Sequence, residues 1–370
     1  MPTMSVATSL LVLLLCSNKA STTVSAFGAR HSTLGLAASS RCAPTWNYQW
    51  NERRLPSPAT RVSMATDKGG SNDFNSDDLV TKRRKRVDIG YAASAISWGV
   101  VSAVIFSRAV RSTANGSATA ASLGVAGSLL SRRLFAMVLS YIERGAAVHD
   151  RLGSDTYRRM NVALLGHSVL GLAASAVLHS SSASVTRLVA LVAAASFLTA
   201  VPAFKGWWYG VRGWDTAKKG GAAAMTSDLV KIAKDSLAGC FKCSNFKALL
   251  YLAVTWFAMS FKLTELYKIG QFAFGNGERI GTAVASSIIR FSDFSLLSCV
   301  SYTLKDAADR GRLEGTTFIE LNLASAVIFI ALAANLATAG IGIRLVSAAV
   351  GASAFTAGNG FVSIWKKNKK

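Results

Sequence analysis

Long apolar stretches recur along this chain and constrain its fold more than any other feature. Most of them reach the roughly 17–25 residues that a helix needs to cross the hydrocarbon core of a bilayer. Because a spanning helix satisfies its backbone hydrogen bonds internally, the pattern predicts an all-α fold, a multi-pass transmembrane helical bundle of about eight helices. The eight stretches cover about residues 89–107, 118–142, 160–178, 186–204, 246–263, 281–304, 317–338 and 342–364.

The distribution of charge supports a membrane location. Charged residues are 16% of the chain, whereas they are about 25% of a typical soluble domain. The net charge is +22, and the cations concentrate in the run Lys82–Arg86, the loop after the second stretch, residues 205–244 and the tail Lys366–Lys370. With eight spans these segments all fall on one side, together with both termini, which is the positive-inside pattern. We therefore predict the lipid bilayer and anionic lipid headgroups as partners, and no nucleic acid.

An internal repeat divides the membrane region into two halves. Residues 139–163 and 300–324 align without a gap and share nine identities in 25 positions. The same offset of 161 residues places the first apolar stretch on the fifth and the fourth on the eighth. We predict two parallel four-helix repeats, 89–204 and 245–370, because an even number of spans keeps both halves in one orientation. Among the identical pairs are Ser140/Ser301, Tyr141/Tyr302, Arg151/Arg312 and Asn161/Asn322.

A basic interfacial linker, 205–244, joins the two repeats. Within it, Ser227–Ala238 has helical periodicity, with Leu229, Ile232, Ala233 and Leu237 on one face and Gly239 at the expected end. The linker also contains the pair Cys240 and Cys243, which we interpret as a candidate redox pair. A zinc site would need two further ligands, and the sequence offers no matching pair.

The N-terminal 65 residues read as targeting sequence. An apolar run at 10–15 followed by small residues up to Ala26 predicts a signal peptide over 1–26. Residues 27–65 are rich in Ser, Ala, Thr and Arg, have one acidic residue, and read as a transit peptide. A polar and basic linker, 66–88, follows.

With Phe27 directly after Ala26, this segment resembles the bipartite plastid presequences of diatoms and other stramenopile algae. The resemblance covers only those first 65 residues, and it implies a multi-pass protein of a plastid membrane. The alternative is residence in the endomembrane system, with which the glycosylation sequon at Asn115 is compatible.

Ionisable residues inside apolar stretches define a candidate intramembrane polar site, because such residues are costly in lipid and are usually functional. Arg290 and Asp293 are three positions apart, share a helix face and could form a pair. The alternative is that these charges form structural ion pairs or lie at headgroup depth. The candidate residues are Arg132, Arg133, His167, Arg290, Asp293 and Glu320.

No catalytic, cofactor-binding or metal-binding motif is found, so the sequence does not favour an enzyme. The interpretation that fits best is a transporter or channel whose substrate is unknown. A non-enzymatic membrane scaffold or assembly factor, with protein partners unknown, is the alternative.

Overall fold

The computed structural model describes residues 74–114, 120–178, 183–214, 221–273, 278–338 and 343–369, and every regular element in these ranges is an α-helix. The all-α helical bundle is thus confirmed. From Leu79 to Lys370 the chain forms one compact unit. The helices of the described ranges are α1 (Phe74–Ala114), α2 (Ala120–Val148), α3 (Asp155–Val177), α4 (Ala183–Arg212), α5 (Gly221–Gly239), α6 (Phe246–Ala273), α7 (Glu278–Asp309), α8 (Thr316–Thr338) and α9 (Ile343–Asn368).

Six helices are long and apolar enough to cross a membrane, which makes the chain an integral membrane protein. They are α1, α3, α4, α6, α7 and α8, with spans starting at Asp78, Asp155, Arg187, Phe246, Ala283 and Thr316. Within the described residues α2 and α9 do not meet the same criterion. Both nevertheless have the length to cross, since 29 and 26 residues at about 1.5 Å per residue exceed the hydrocarbon thickness.

Several helices extend beyond the apolar stretches that predict them, and the extensions at the start of α1 and the end of α6 are the longest. α1 includes the basic run Lys82–Arg86, where Arg83 donates to the Trp214 carbonyl at 2.7 Å and Arg84 pairs with Asp150 at 2.7 Å. These contacts hold the charged first turns of α1 against the end of α4 and the turn after α2. α6 continues past residue 263 as far as Ala273. The polar side chains that end the apolar stretch therefore do not end the helix.

The repeat is visible in repeated contacts. The hydroxyl of Tyr91 in α1 donates to Asn161 of α3, and the hydroxyl of Tyr251 in α6 donates to Asn322 of α8. The turn after α2 has its counterpart after α7: Arg151 N donates to Ala146 O at 2.8 Å, and Arg312 N donates to Ala307 O at 2.8 Å. Each turn also has one residue with positive φ at the same place, Asp150 (56°) and Gly311 (65°).

The two halves meet through contacts that interchange between them. α2 packs against α8, and α3 packs against α7. Replacing each helix by its repeat equivalent converts the first contact into the second. The Tyr157 hydroxyl at the start of α3 lies 2.7 Å from Thr317 Oγ1 at the start of α8, so both helices begin at the same end of the bundle. The halves therefore have the same orientation, and we call this end the basic end.

α5 lies at the basic end and ends at Gly239, where the sequence predicts its end. Its C-terminal turn is held by the second half, because Tyr302 donates to the Asp235 carbonyl at 3.0 Å and Lys305 Nζ donates to the Gly239 carbonyl at 2.8 Å. Its other side stays exposed, including Leu229, Val230 and Leu237.

Candidate intramembrane polar site

The centre of the bundle buries three of the predicted site residues together. Arg133 of α2, His167 of α3 and Asp293 of α7 are 2%, 1% and 3% exposed. α3 and α7 pack against each other across the junction between the halves. We call these three residues, with Ser292 and Trp98, the central cluster.

His167 contacts two polar side chains of α7 within the central cluster. Its Nδ1 lies 2.6 Å from Ser292 Oγ and 3.9 Å from Asp293 Oδ1. The Ser292 hydroxyl also lies 3.2 Å from the His167 carbonyl. Because that hydroxyl can donate to either acceptor, the imidazole can carry its proton on either ring nitrogen. His167 Nε2 is buried and has no hydrogen-bond partner among the described residues.

Trp98 of α1 contacts both Arg133 and His167 in the central cluster. Its ring centroid is 5.0 Å from the Arg133 guanidinium carbon and 5.4 Å from the His167 ring centroid. The indole N–H donates to Thr199 Oγ1 at 2.8 Å, which fixes the ring plane. This cation–π contact stabilises the Arg133 guanidinium, which is buried away from water.

Arg133 and Asp293 interact electrostatically across the junction. Burying two charges is favourable only when their attraction and hydrogen bonds offset the loss of hydration. Removing one member of such a pair typically costs about 3–5 kcal/mol. The arrangement places a cationic side chain, Arg133, together with two side chains that can bind a proton, His167 and Asp293.

Polar side chains continue from the central cluster towards the basic end along the inner faces of α1 and α2. Ser94 Oγ lies 2.8 Å from Ser140 Oγ and 2.6 Å from Thr199 Oγ1, and Thr199 also accepts from Trp98. One turn further, Tyr91 and Asn161 are hydrogen-bonded, and Asn161 Nδ2 donates to Glu143 Oε2 at 2.7 Å. We call the central cluster together with these side chains, from Arg133 at one end to Glu143 at the other, the polar seam.

Glu143 is the residue that sequence reasoning missed. It is fully buried, and its Oε1 has no hydrogen-bond partner among the described residues. It lies just beyond the second apolar stretch, so the sequence assigns it to a loop. The repeat gives no signal for it, because the equivalent position is Leu304 and Asn322 donates to the Phe318 carbonyl instead.

Arg290 belongs to a separate charged group. Its Nε lies 3.3 Å from Glu265 Oε2, and Lys268 Nζ donates to Glu265 Oε1 at 2.9 Å. Glu265 is 3% exposed and lies in the extension of α6 that the sequence does not predict. The structure therefore gives Arg290 a partner on α6, while Asp293 lies against His167.

The remaining predicted site residues lie elsewhere. Glu320 is half-buried near the start of α8 and lines a cavity at the basic end. The side chain of Arg132 lies outside the described residues, as does the sequon at Asn115.

Cys240 and Cys243 are both free thiols in unlike surroundings. Cys240 is 5% exposed and packs against Leu252 and Tyr302, whereas Cys243 is exposed. Burial raises the pKa of the Cys240 thiol, and the Lys305 ammonium offsets part of this rise. Cys240 is thus the less reactive thiol of the candidate pair.

Within the part of the chain that the structure describes, no three His, Cys, Asp or Glu side chains are arranged to hold a metal ion. No family model, curated protein or solved structure matches the chain. Its function is therefore argued from the central cluster and the polar seam.

Proposed function

We propose that this protein is a transporter or channel of a plastid membrane, and that the polar seam carries the transported ion or proton. The observation that supports this most is the difference between the two halves. At the positions of Arg133, Glu143 and His167 the second repeat has Phe294, Leu304 and Ile328.

Because these counterparts are apolar, they distinguish charges that the fold requires from charges that it does not require. Leu304 and Ile328 are buried in the core of the second half, which has the same turn and the same Tyr–Asn bond as the first. The shared fold therefore does not require charges at these positions. Buried ion pairs can often be replaced by apolar residues without loss of stability. Charges retained in one half only are accordingly assigned to function.

The chemistry of the polar seam favours protons or small anions. Arg133 supplies a fixed positive charge, while His167, Asp293 and Glu143 can each bind and release a proton. Glu143 lies ten positions after Arg133 on α2, which corresponds to about 15 Å along the helix axis. The hydroxyls of Ser94, Ser140 and Thr199 lie within that interval.

Proteoliposomes test this proposal. The full chain is reconstituted with an internal pH-sensitive dye, or with a dye quenched by halide, under a set ion gradient. The flux reported by one of the two dyes should be larger in the proteoliposomes than in protein-free vesicles. Glu143→Gln and His167→Gln, which change size little and remove the titratable group, should each reduce it at least tenfold. Arg290→Gln is the matched control, since it removes an intramembrane arginine that pairs with Glu265 outside the polar seam.

Equal flux in all correctly inserted variants would remove the polar seam from the mechanism. Absence of flux for both probes, together with co-purification of a stable protein complex, would favour the scaffold or assembly-factor alternative.

The proposed location in a plastid membrane rests on the resemblance of residues 1–65 to a bipartite presequence. A fluorescent protein fused after residue 66 should enter the plastid of a diatom. The same fusion with Phe27→Ala should stop before the inner plastid membranes. Endomembrane fluorescence of the unchanged fusion, or glycosylation at Asn115 of the full chain, would support the endomembrane alternative instead.

A further inference from the structure

A cavity of about 420 Å³ opens at the basic end, where the two halves meet. It is bounded by the end of α2, the turn after α2, and the starts of α3 and α8. Hydroxyl and cationic groups dominate its polar lining. The lining includes Tyr141, Arg144, Arg151, Tyr157, Thr316 and Glu320.

The other half contains the repeat equivalent of this place, and there it is filled by the chain itself. Tyr302 and Lys305 are the counterparts of Tyr141 and Arg144. Tyr302 donates to the Asp235 carbonyl at 3.0 Å, and Lys305 donates to the Gly239 carbonyl at 2.8 Å. As a result Tyr302 is 7% exposed, whereas Tyr141 is 58% exposed. The C-terminal end of α5 covers one copy of the site and leaves the other open.

The group that fills the covered copy shows which chemistry the open copy accepts. The end of α5 presents carbonyl oxygens, which form the negative end of a helix dipole. Tyr302 and Lys305 act there as donors to oxygen. Tyr141 and Arg144 offer the same kinds of donor in the open copy, so the matching occupant carries oxygen atoms with negative charge.

The helices that begin at the two copies also differ in charge, and this difference again favours an anion in the open copy. α3 begins at Asp155, whose carboxylate pairs with Arg158 and with Lys231 of α5. α8 begins at Thr316 and has no acidic residue in its first turn. The open copy therefore lacks the acid that complements the positive end of its helix.

The charges around the open cavity leave a positive balance. Arg144 pairs with Asp88 at 2.6 Å, and Lys367 Nζ lies 3.2 Å from Thr316 Oγ1. Glu320 is the acidic residue of the lining. Arg151 makes no ion pair with any described residue, so its guanidinium stays available for a ligand.

We propose that this cavity binds the phosphate of an anionic lipid headgroup, with Arg151, Arg144 and Tyr141 as its donors. The cavity lies at the basic end of the bundle, and basic segments that flank spanning helices are expected at the depth of lipid headgroups. Basic pockets between spanning helices on the positive side are typical sites for such lipids. The volume is also within the usual range of small-ligand sites, about 300–1,000 Å³.

Native mass spectrometry of the full chain in detergent, titrated with phosphatidylglycerol, tests the proposal. We expect one tightly bound phosphatidylglycerol per chain and no comparable binding of phosphatidylcholine. Arg151→Gln should weaken binding about tenfold, because it removes a hydrogen bond between two charged groups. Arg151→Lys should keep most of the affinity. Arg312→Gln, the same change at the covered copy, should leave it unchanged.

Thermal melting separates binding from folding, because Arg151→Gln should melt with the wild type when no lipid is added. Equal lipid retention by wild type and Arg151→Gln would overturn the proposal. Displacement of phosphatidylglycerol by an equal concentration of inorganic phosphate would also overturn it, because the lipid would then not be the preferred source of the phosphate group. Co-purification of a protein whose helix end occupies the cavity and excludes lipid would overturn it as well.

Discussion

At the scale of single residues, spacing along one helix predicts a shared face but not the partner. Arg290 and Asp293 are three positions apart on α7, a spacing that predicts a shared face. Their neighbours on other helices decide the rest, because α6 brings Glu265 to Arg290 and α3 brings His167 to Asp293. The sequence could therefore nominate Arg133, His167 and Asp293 as site residues, but it could not separate them from Arg290.

The bond between Tyr91 and Asn161 depends on a glycine in the facing helix. A Cβ built on Gly206 of α4 would overlap the Tyr91 hydroxyl and lie 3.1 Å from Asn161 Oδ1. We expect Gly206→Ala to lower the free energy of unfolding in detergent by about 1–3 kcal/mol, as for other overpacked cores. Gly166→Ala is the control, since nothing lies within 4 Å of its Cβ. That variant should be as stable as the wild type or more stable by up to about 1 kcal/mol. Denaturant titration followed by tryptophan fluorescence measures both, and equal stability of the two variants would contradict the close approach.

At the scale of helices, hydrophobic periodicity locates each element well and its ends less well. Gly239 ends α5 as predicted, because a residue without Cβ fits against the Tyr302 ring. The start of α1 and the end of α6 are missed, because charged and polar residues there are good helix formers stabilised by tertiary contacts. The apolar face predicted for α5 is divided in the structure: Ile232 is half-buried, whereas Leu229 and Leu237 are exposed. Periodicity alone does not tell which part of such a face meets protein and which part meets lipid.

Cys240 reports whether the end of α5 is docked. The wild-type thiol should react slowly with a water-soluble maleimide, because it is buried and its pKa is raised. A raised pKa lowers the thiolate fraction at a given pH, so the rate at Cys240 should keep increasing with pH above the ordinary thiol range. Gly239→Ala should accelerate the reaction at least tenfold, since its Cβ would lie 2.9 Å from two Tyr302 ring atoms and displace the turn. Exposed Cys243 is the internal control and should react equally in both proteins. Peptide mass spectrometry gives both rates, and an unchanged Cys240 rate in Gly239→Ala would mean that α5 stays docked.

At the scale of the whole molecule, the repeat and the charge pattern are the strongest predictions from sequence. Both specify the same arrangement, in which the halves are parallel and the basic loops lie at one end. The close approach of Tyr157 and Thr317 agrees with it. The sequence could not predict that α2 pairs with α8 and α3 with α7, because the repeat constrains each half but not their junction.

The orientation of the halves can be measured with single cysteines in the repeated turns. His149→Cys and Arg310→Cys, each in a chain without other cysteines, lie at equivalent places in the turns after α2 and α7. A membrane-impermeant maleimide added to sealed vesicles should label both from the same side. Labelling from opposite sides would contradict parallel halves and the positive-inside arrangement.

The interchange of contacts at the junction has a consequence for the origin of the protein. A chain made of one half could form the same junction with a second copy of itself, because replacing each helix by its repeat equivalent converts one junction contact into the other. Such a homodimer would have two identical open cavities and two identical seams. Fusion of two such halves through a linker that contains α5 would cover one of the two cavities, and the two halves would then be free to diverge in sequence. In the present chain the connection between the halves, α5, lies over one of the two equivalent places and leaves the other open.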